Sequence, residues 1–307
     1  MGKQKIGLLV MAYGTPSSLE EVEAYYTHIR RGNPPSPEKL QELVDRYQAI
    51  GGVSPLNEIT RAQVNRLEQK LNEISAHYEF QSFMGMKHVH PFIEEAVESM
   101  AEQGIKQAVS IVLAPHYSVM SVGGYNKTAA EAAKSKGIEL TSVCDYHLEP
   151  KYIDVLVERV AEALTKFEDQ QEPMVLFTAH SLPEKIVEMN DPYPTQLRET
   201  AATIAERLQL SHWDNGWQSA GQTAVPWLGP DILEKMEILR NEGIKKLLIC
   251  PIGFVSDHLE VLYDIDIECQ KLAKDLDMQL VRTASLNDDP LFIEALADVV
   301  LKQLNNR

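Results

Sequence analysis

Cysteine is scarce in this chain of 307 residues, which contains only Cys144, Cys250 and Cys269. The three lie far apart and no two have a CxxC spacing, so they cannot alone ligate a four-thiolate iron–sulfur cluster. Their odd number also excludes complete pairing in disulfides. We therefore expect buried, reduced thiols in a cytoplasmic protein and no iron–sulfur cluster.

Positive charge is scarce as well. Lysine and arginine total 29 against 45 aspartate and glutamate residues, which gives a formal net charge of -16. An acidic protein of this kind is a poor general binder of nucleic acid or of an anionic membrane. We therefore expect no nucleic-acid partner, and an anionic substrate would need a local basic patch.

Long apolar runs are missing too, and no stretch of the sequence is long enough to span a bilayer. The apolar run 6–12 follows two lysines, as in a signal peptide, but Tyr13-Gly14-Thr15-Pro16 is not a small-residue cleavage site. We expect a first core strand at this position. The prediction is a cytoplasmic protein with no stable membrane anchor.

The chain does contain a regular alternation of two kinds of segment. Short apolar runs, often β-branched, alternate with longer amphipathic stretches, which is typical of buried parallel strands joined by helices. Such alternation predicts right-handed βαβ units and an α/β fold of parallel sheets flanked by helices. The predicted strands are 6–12, 78–84, 108–114, 140–143, 175–179, 247–251 and 278–282.

One pattern of the first half recurs in the second half. Pro91-Phe92-Ile93 followed by Gly104-Ile105-Lys106 matches Pro230-Asp231-Ile232 followed by Gly243-Ile244-Lys245. The match predicts two similar Rossmann-like lobes, 1–145 and 146–307, with a cleft between them, unless it is a coincidence among common βα patterns. The C-terminal helix is expected to pack back on the first lobe.

Two motifs carry the predicted chemistry. His180 ends a predicted strand, and Tyr13 ends the equivalent strand of the first lobe, where ligands bind in α/β folds. Glu260, Asp264 and Glu268, here called the carboxylate ladder, recur every four residues and so lie on roughly one helix face. Like charges at that spacing repel, and a divalent cation would relieve the repulsion. We predict an open metal site formed by His180 and the ladder.

Further motifs occur at intervals along almost the whole chain. They include Met11-Ala12-Tyr13-Gly14-Thr15-Pro16, Tyr47-Gln48-Ala49-Ile50-Gly51-Gly52-Val53-Ser54-Pro55-Leu56, and the segments 113–118, 179–185, 191–194, 217–219, 226–230 and 251–260. In order and residue type these motifs resemble those of the ferrochelatases, and among them the coproporphyrin III enzymes of Gram-positive bacteria. The resemblance implies a chelatase-like fold and a lyase of haem biosynthesis that inserts Fe²⁺, its substrate, into coproporphyrin III.

The resemblance also implies residue roles at the metal. His180 and Glu260 match the family's iron site and are the expected catalytic pair. Asp264 and Glu268 match an acidic relay for metal, beside which a second divalent cation such as Mg²⁺ is expected. The protein is expected to be a monomer that makes at most transient contacts with neighbouring haem-pathway enzymes.

The porphyrin contacts follow from the resemblance in the same way. In the coproporphyrin enzymes the tyrosine matching Tyr13 approaches the iron opposite the histidine, and the other expected porphyrin-binding residues are Arg30, Arg46, Tyr47, Ser54 and Tyr125. Arginine suits the propionates because its fork binds a carboxylate bidentately. The alternatives are a buried core tyrosine at 13, surface charges at 30 and 46, and a plain helix cap at Ser54.

Two other functions stay open from the residues. The first is a tetrapyrrole-binding or metal-binding protein without catalysis, and the second is a chelatase of the same fold for another metal or tetrapyrrole. The combination of His180 with the carboxylate ladder favours catalysis, since a carrier would need only the cleft. Neither the choice between coproporphyrin and protoporphyrin nor the role of His180, ligand or base, is decided by the sequence.

Overall fold

Two four-stranded parallel sheets form the centre of the computed structural model, which describes residues 3–167, 172–221 and 223–305. The first sheet has the order β2-β1-β3-β4 and the second the order β6-β5-β7-β8, so the two halves share one topology. The strands are β1 Gln4–Ala12, β2 Tyr78–Met86, β3 Gln107–Val112, β4 Glu139–Ser142, β5 Met174–His180, β6 Trp213–Gln218, β7 Lys246–Cys250 and β8 Gln279–Arg282. The predicted α/β fold with two similar lobes is confirmed.

Helices flank both sheets. They are α1 Val22–Ile29, α2 Pro37–Ala49, α3 Leu56–Ile74, α4 Ile93–Glu102, α5 Val122–Ser135, α6 Pro150–Leu164, α7 Lys185–Glu188, α8 Tyr193–Leu208, α9 Ile232–Asn241, α10 Gln270–Asp275 and α11 Pro290–Asn305. A short 3₁₀ turn, Leu19–Glu21, precedes α1, and a π-helix, Glu260–Cys269, leads directly into α10. In the described part of the chain no helix is both long and apolar enough to cross a membrane.

The sequence did not predict strand β6. It pairs with β5 in parallel from Val175 opposite Trp213 to His180 opposite Gln218. Its sequence, Trp-Asp-Asn-Gly-Trp-Gln, carries polar residues and a glycine, and it lies at the edge of its sheet. Edge strands are buried less completely than central ones, so the apolar pattern that identified the other strands is missing here.

The segment that follows β7 also differs from the prediction. The sequence predicts one amphipathic helix over 259–276, whereas the first part of this segment is π-helical. The N–H of Gln270 donates to the carbonyl of Ile265, five residues earlier, which is the defining π-helical bond. π-Helical segments are rare and frequently occur at functional sites. This one begins at the first carboxylate of the ladder.

The two sheets share one core. Buried residues of β1, such as Leu8, join buried residues of β5, such as Phe177, and of α11, such as Phe292, in a single apolar cluster. Helix α11 packs on α3 and α6, and Gln303 Nε2 in α11 donates to the Ser142 carbonyl at the end of β4. The C-terminal helix thus contacts the first lobe, while the division at residue 145 stays a prediction.

The expectation of buried cysteines is wrong for one of the three. Cys250 and Cys269 are buried, whereas Cys144 is exposed. Cys144 lies in the loop after β4, outside the regular elements that form the core.

Candidate active site

The carboxyl ends of the two central strands, β1 and β5, carry the first site residues. His180 is the last residue of β5, and its Nε2 lies 3.6 Å from Oε1 of Glu260, the first residue of the π-helix. On the other side of the ring, Nδ1 contacts the carbonyl oxygen of Ser181, which can only accept a hydrogen bond. In the neutral imidazole Nδ1 therefore carries the proton, and Nε2 is the basic nitrogen that faces Glu260.

Glu260 contacts a second imidazole that the sequence analysis did not assign. His258 Nε2 lies 3.7 Å from Glu260 Oε2, while His258 Nδ1 hydrogen-bonds the Ser256 carbonyl at 3.0 Å. Burial opposes ionisation of Glu260, but His180 and then His258 outweigh it and hold the pKa of this carboxyl below its ordinary value. The carboxylate is therefore ionised at neutral pH. The position of His258, two residues before Glu260 in the same motif, was the available signal.

The structure brings the carboxylate ladder together along the π-helix. Burial, followed by the charge of Glu260, raises the pKa of Asp264 to about 7. Burial also raises the pKa of Glu268, although Arg46 acts in the opposite direction. Asp264 is only 6% exposed, and its Oδ2 accepts a hydrogen bond from Ser219 Oγ in the loop after β6. The like charges that the sequence indicated are thus relieved in part by protonation of Asp264.

Arg46, expected at a propionate, lies beside the carboxylate ladder. Its Nη1 is 3.6 Å from Asp264 Oδ1, and its Nη2 is 3.5 Å from Glu42 on the same helix, α2. The guanidinium also lies 4.9 Å from the centre of the Tyr263 ring, within cation–π range. Arg46 therefore ties α2 of the first lobe to the π-helix of the second lobe. Its contact with the porphyrin stays a prediction.

Tyr13 and Tyr125 differ in exposure. Tyr13, just beyond β1, is 40% exposed, and its ring centre lies 4.4 Å from that of His88. Partial burial and then the charge of the Glu260 carboxylate raise the pKa of Tyr13, so the phenol stays protonated at neutral pH. Tyr125 is 5% exposed under the ammonium of Lys87, which is 4.8 Å from the ring centre. Tyr13 is accessible to a ligand, whereas Tyr125 is covered.

The three remaining predicted porphyrin contacts also occupy different environments. Tyr47 is 2% exposed, and its hydroxyl hydrogen-bonds Thr15 Oγ1 at 3.0 Å. Ser54 is buried, and its Oγ accepts the N–H of Leu56 at 3.3 Å, as in the alternative reading of a helix cap. Arg30 is exposed, with Nε donating to the Asn33 carbonyl at 3.1 Å. Of these three, only Arg30 presents its side chain at the surface.

Comparison with known proteins decides the family. The model of the family named Ferrochelatase matches residues 5–304. The chain belongs to the ferrochelatase family. It is 50% identical to the coproporphyrin III ferrochelatase of Geobacillus sp. (strain WCH70) and 51% identical to that of Bacillus subtilis (strain 168), in each case over 99% of both chains.

Solved structures agree on the fold. The sirohydrochlorin chelatase SirB from Bacillus subtilis subspecies spizizenii, in complex with cobalt, superposes with a TM-score of 0.58 over 99% of this chain and 96% of the other, at 12% identity. CbiX, described as the terminal enzyme for biosynthesis of siroheme in denitrifying bacteria, gives a TM-score of 0.54 over 96% and 98% of the two chains, at 10% identity. At such identities the likeness concerns the fold alone.

The donor atoms of this ferrochelatase-family site form an incomplete coordination shell. Within residues 3–167, 172–221 and 223–305, no three His, Cys, Asp or Glu side chains are grouped closely enough to hold a metal ion. His180 and Glu260 offer one nitrogen and one carboxylate and leave the other coordination positions open. Such a site can bind a divalent ion weakly and release it, which is the property that a metal-transfer site needs.

Proposed function

We propose that this protein is a lyase that inserts Fe²⁺ into coproporphyrin III to form Fe-coproporphyrin in haem biosynthesis. The observation that carries the proposal is the His180–Glu260 pair, with Nε2 and Oε1 3.6 Å apart at the carboxyl end of β5. Support also comes from curated relatives at 50% and 51% identity over 99% of the chain, both named coproporphyrin III ferrochelatase.

The pair suits the chemistry of insertion. Two pyrrole N–H protons must leave the macrocycle as one Fe²⁺ enters, so charge balances at the ring. His180 Nε2 is the basic nitrogen of its ring and can accept a proton or donate its lone pair to iron. Glu260, whose pKa is held below its ordinary value, supplies a carboxylate that stays charged at neutral pH. Glu260 therefore needs no prior deprotonation, and the two ring protons can leave one to His180 Nε2 and one to the Glu260 carboxylate.

Porphyrin binding is assigned to the residues on the first lobe. We propose that Tyr13 faces the iron from the side opposite His180, which its exposure and its place just beyond β1 support. Arg30 is exposed and is the proposed partner of a propionate. The proposed contacts of Arg46, Tyr47, Ser54 and Tyr125 require approach to side chains that are buried or paired, so their part is assigned to shaping the porphyrin site.

We propose that the carboxylate ladder supplies metal to the pair. Asp264 Oδ1 is buried and accepts no hydrogen bond from the described residues, and Arg46 Nη1 lies 3.6 Å from it. An oxygen in this state suits a hard divalent cation such as Mg²⁺, held by Asp264 and Glu268 with water completing the shell. Such a cation would offset the repulsion between Glu260 and Asp264.

Location and partners are proposed on the family resemblance. The chain resembles the water-soluble Gram-positive enzymes, so we propose a cytoplasmic monomer. Contacts with neighbouring haem-pathway enzymes are proposed to be transient. Size-exclusion chromatography with light scattering tests the monomer directly.

An anaerobic turnover assay tests the function. A small amount of the protein is mixed with an excess of Fe²⁺ and of either coproporphyrin III or protoporphyrin, and the loss of porphyrin fluorescence is followed. The proposal expects many equivalents of coproporphyrin to be consumed per protein, with a lower kcat/KM for protoporphyrin. Loss of fluorescence that stops at one equivalent would instead indicate a binding protein. Turnover with Co²⁺ but not with Fe²⁺ would indicate a chelatase for another metal.

A further inference from the structure

The backbone that carries Glu260 is held by contacts from other elements, and the Glu260 carbonyl itself accepts a hydrogen bond from Gln218 Nε2 of β6 at 3.2 Å. The contacts of its carboxylate with His180 and His258 are 3.6 and 3.7 Å long, beyond hydrogen-bonding distance. It lies at the first position of a π-helix, a conformation with less favourable packing than the α-helix and seldom stable without tertiary support. Further contacts from outside the segment 257–266 therefore help to fix its position.

Arg282 makes this connection. It is the last residue of β8, its neighbour on β7 is Ile249, and its side chain is largely buried. Its Nε donates to Asp266 Oδ1 at 2.7 Å and its Nη2 to Asp266 Oδ2 at 2.8 Å, a bidentate pair with the π-helix. Its Nη1 lies 3.5 Å from Asp257 Oδ1, just before the π-helix. One guanidinium thus spans both ends of the segment.

The remaining bonds of this cluster fix the guanidinium and Asp257. Arg282 Nη1 donates to the Thr283 carbonyl at 2.9 Å and to Ser285 Oγ at 3.2 Å. Asp257 Oδ1 accepts from Ser285 Oγ at 2.7 Å, and its Oδ2 accepts from Asn287 Nδ2 at 2.9 Å. Each partner of Asp257 therefore lies on β8 or in the loop that follows it.

This loop is in turn anchored to the first lobe. Gln63 of α3 is fully buried, and its Nε2 donates to the Asn287 carbonyl at 2.7 Å and to Ser256 Oγ at 3.0 Å. The chain of bonds from Gln63 through Asn287 and Asp257 to Arg282 is continuous. Buried polar networks in which the members are satisfied are rigid, because an unpaired member is costly.

We propose that Arg282 is a positioning residue for metal insertion. By joining Asp257 to Asp266 it fixes the start of the π-helix, and with it the Glu260 carboxylate, against His180. The proposal rests on the iron-insertion function proposed above. Arg282 does not reach substrate itself. Its effect is on the distance between two groups that act together, where a displacement of about 1 Å can cost about 100-fold in rate.

The test is Arg282→Lys, which keeps the charge but removes the fork. We expect kcat with saturating Fe²⁺ and coproporphyrin III to fall by about 10- to 100-fold. The Kd for coproporphyrin III, from fluorescence titration, should stay within about threefold, because no propionate contact is assigned to this cluster. Asp266→Asn is the second variant, and it should lower kcat in the same direction with less effect on folding.

Arg159→Lys is the matched control. Arg159 is similarly buried and pairs with Asp289 at 2.5 Å, which joins α6 to the start of α11. Asp289 ends the loop after β8, so Arg159→Lys disturbs this loop without removing the Arg282 guanidinium. It should lose urea stability as Arg282→Lys does and keep its kcat. A kcat of Arg282→Lys or Asp266→Asn within twofold of wild type, or a fall no larger than in Arg159→Lys, would overturn the positioning role. Failure of the wild type to turn over would instead overturn the proposed function.

Discussion

Arg46 Nη1 lies 3.6 Å from Asp264 Oδ1, which places an arginine of the first lobe within the carboxylate ladder of the second. Sequence analysis assigned Arg46 to a propionate, together with Arg30. The structure separates the environments of the two residues, because Arg30 is exposed and contacts the Asn33 carbonyl, whereas Arg46 contacts Glu42, Tyr263 and Asp264. The two arginines should therefore differ in function.

Substitution of the two arginines by alanine tests this difference. Arg30→Ala should raise the Kd for coproporphyrin III, by about 10-fold for a lost charged hydrogen bond of about 1.5 kcal/mol, and leave the KM for Fe²⁺ unchanged. Arg46→Ala should lower the KM for Fe²⁺ if the proposed metal supply through Asp264 holds, because it removes a cation that would compete with metal there. If both variants weakened porphyrin binding equally and neither changed the KM for Fe²⁺, Arg46 would be assigned to a propionate, as the sequence analysis expected.

Removal of either member of the catalytic pair should abolish insertion. His180→Ala deletes the basic nitrogen next to Glu260, and Glu260→Gln replaces a charged oxygen with a neutral amide. With both substrates saturating, we expect kcat to fall by about 10²–10⁴-fold in each variant, the usual range for loss of a general base. Circular dichroism and urea unfolding serve as controls for the fold. Turnover close to that of the wild type would exclude the pair as the reaction site.

The sequence predicted those parts of the fold and site that depend on local pattern. Strands β1 and β5 each contain a mostly apolar run, 6–12 and 174–179, and the prediction that Tyr13 and His180 lie at their ends is confirmed. The sequence analysis did not predict strand β6, because Trp213-Asp214-Asn215-Gly216 has no alternation of apolar and polar residues. Whether a strand lies at the edge of a sheet is decided by tertiary packing, and a single sequence carries no local signal for it.

Other features of the site depend on partners distant in the sequence. Carboxylates every four residues suit an α-helix, and no local sequence signal distinguishes an α-helix from the π-helix that begins at Glu260. Arg282 contacts Asp266 within this π-helix and Asp257 before it. The contact of Arg46 with Asp264 joins residues on different lobes. His258 was visible in its motif, but its role became apparent only from its distance to Glu260.

Neutralisation of the rest of the ladder should affect metal supply more than the reaction. Asp264→Asn combined with Glu268→Gln should raise the KM for Fe²⁺ more than it lowers kcat. Relief of like-charge repulsion should leave the free energy of unfolding equal, or higher by about 0.5 kcal/mol. Added Mg²⁺ should change the rate of the wild type and not that of the double variant. An unchanged dependence on both metals would assign the ladder to structure.

Substitution of Tyr13 should change the absorption spectrum of the bound product and leave the affinity for the substrate unchanged. Tyr13→Met removes a phenolic oxygen that meets iron only after insertion, so free coproporphyrin III should bind with an unchanged Kd. The absorption spectrum of the bound ferric product should change, because a phenolic oxygen is a competent axial ligand. Tyr25→Phe is a matched control, since Tyr25 is buried behind Tyr13 with ring centres 6.5 Å apart. Identical spectra for Tyr13→Met and wild type would show that Tyr13 does not ligate iron.

A histidine away from the site joins the two lobes by charge. His147 follows β4, and its Nε2 lies 2.9 Å from Glu199 Oε2 on α8 while its Nδ1 lies 3.0 Å from Asp145 Oδ1. Burial alone would lower the pKa of His147, but its hydrogen bonds to Asp145 and Glu199 outweigh burial and raise this pKa above 6.5. The charged imidazole is therefore favoured in the folded protein.

The raised pKa of His147 predicts how stability depends on pH. Because the folded protein holds this proton more tightly than the unfolded chain, the stabilisation is fully present below pH 6.5 and is lost as pH rises through the folded-state pKa. His147→Gln should remove this contribution, so the difference in free energy of unfolding between wild type and variant should shrink as pH rises above 6.5. Urea unfolding of both proteins across this range measures it, with Glu199→Gln expected to lose part of the same dependence. A difference that is constant with pH would show that His147 is neutral in the folded protein.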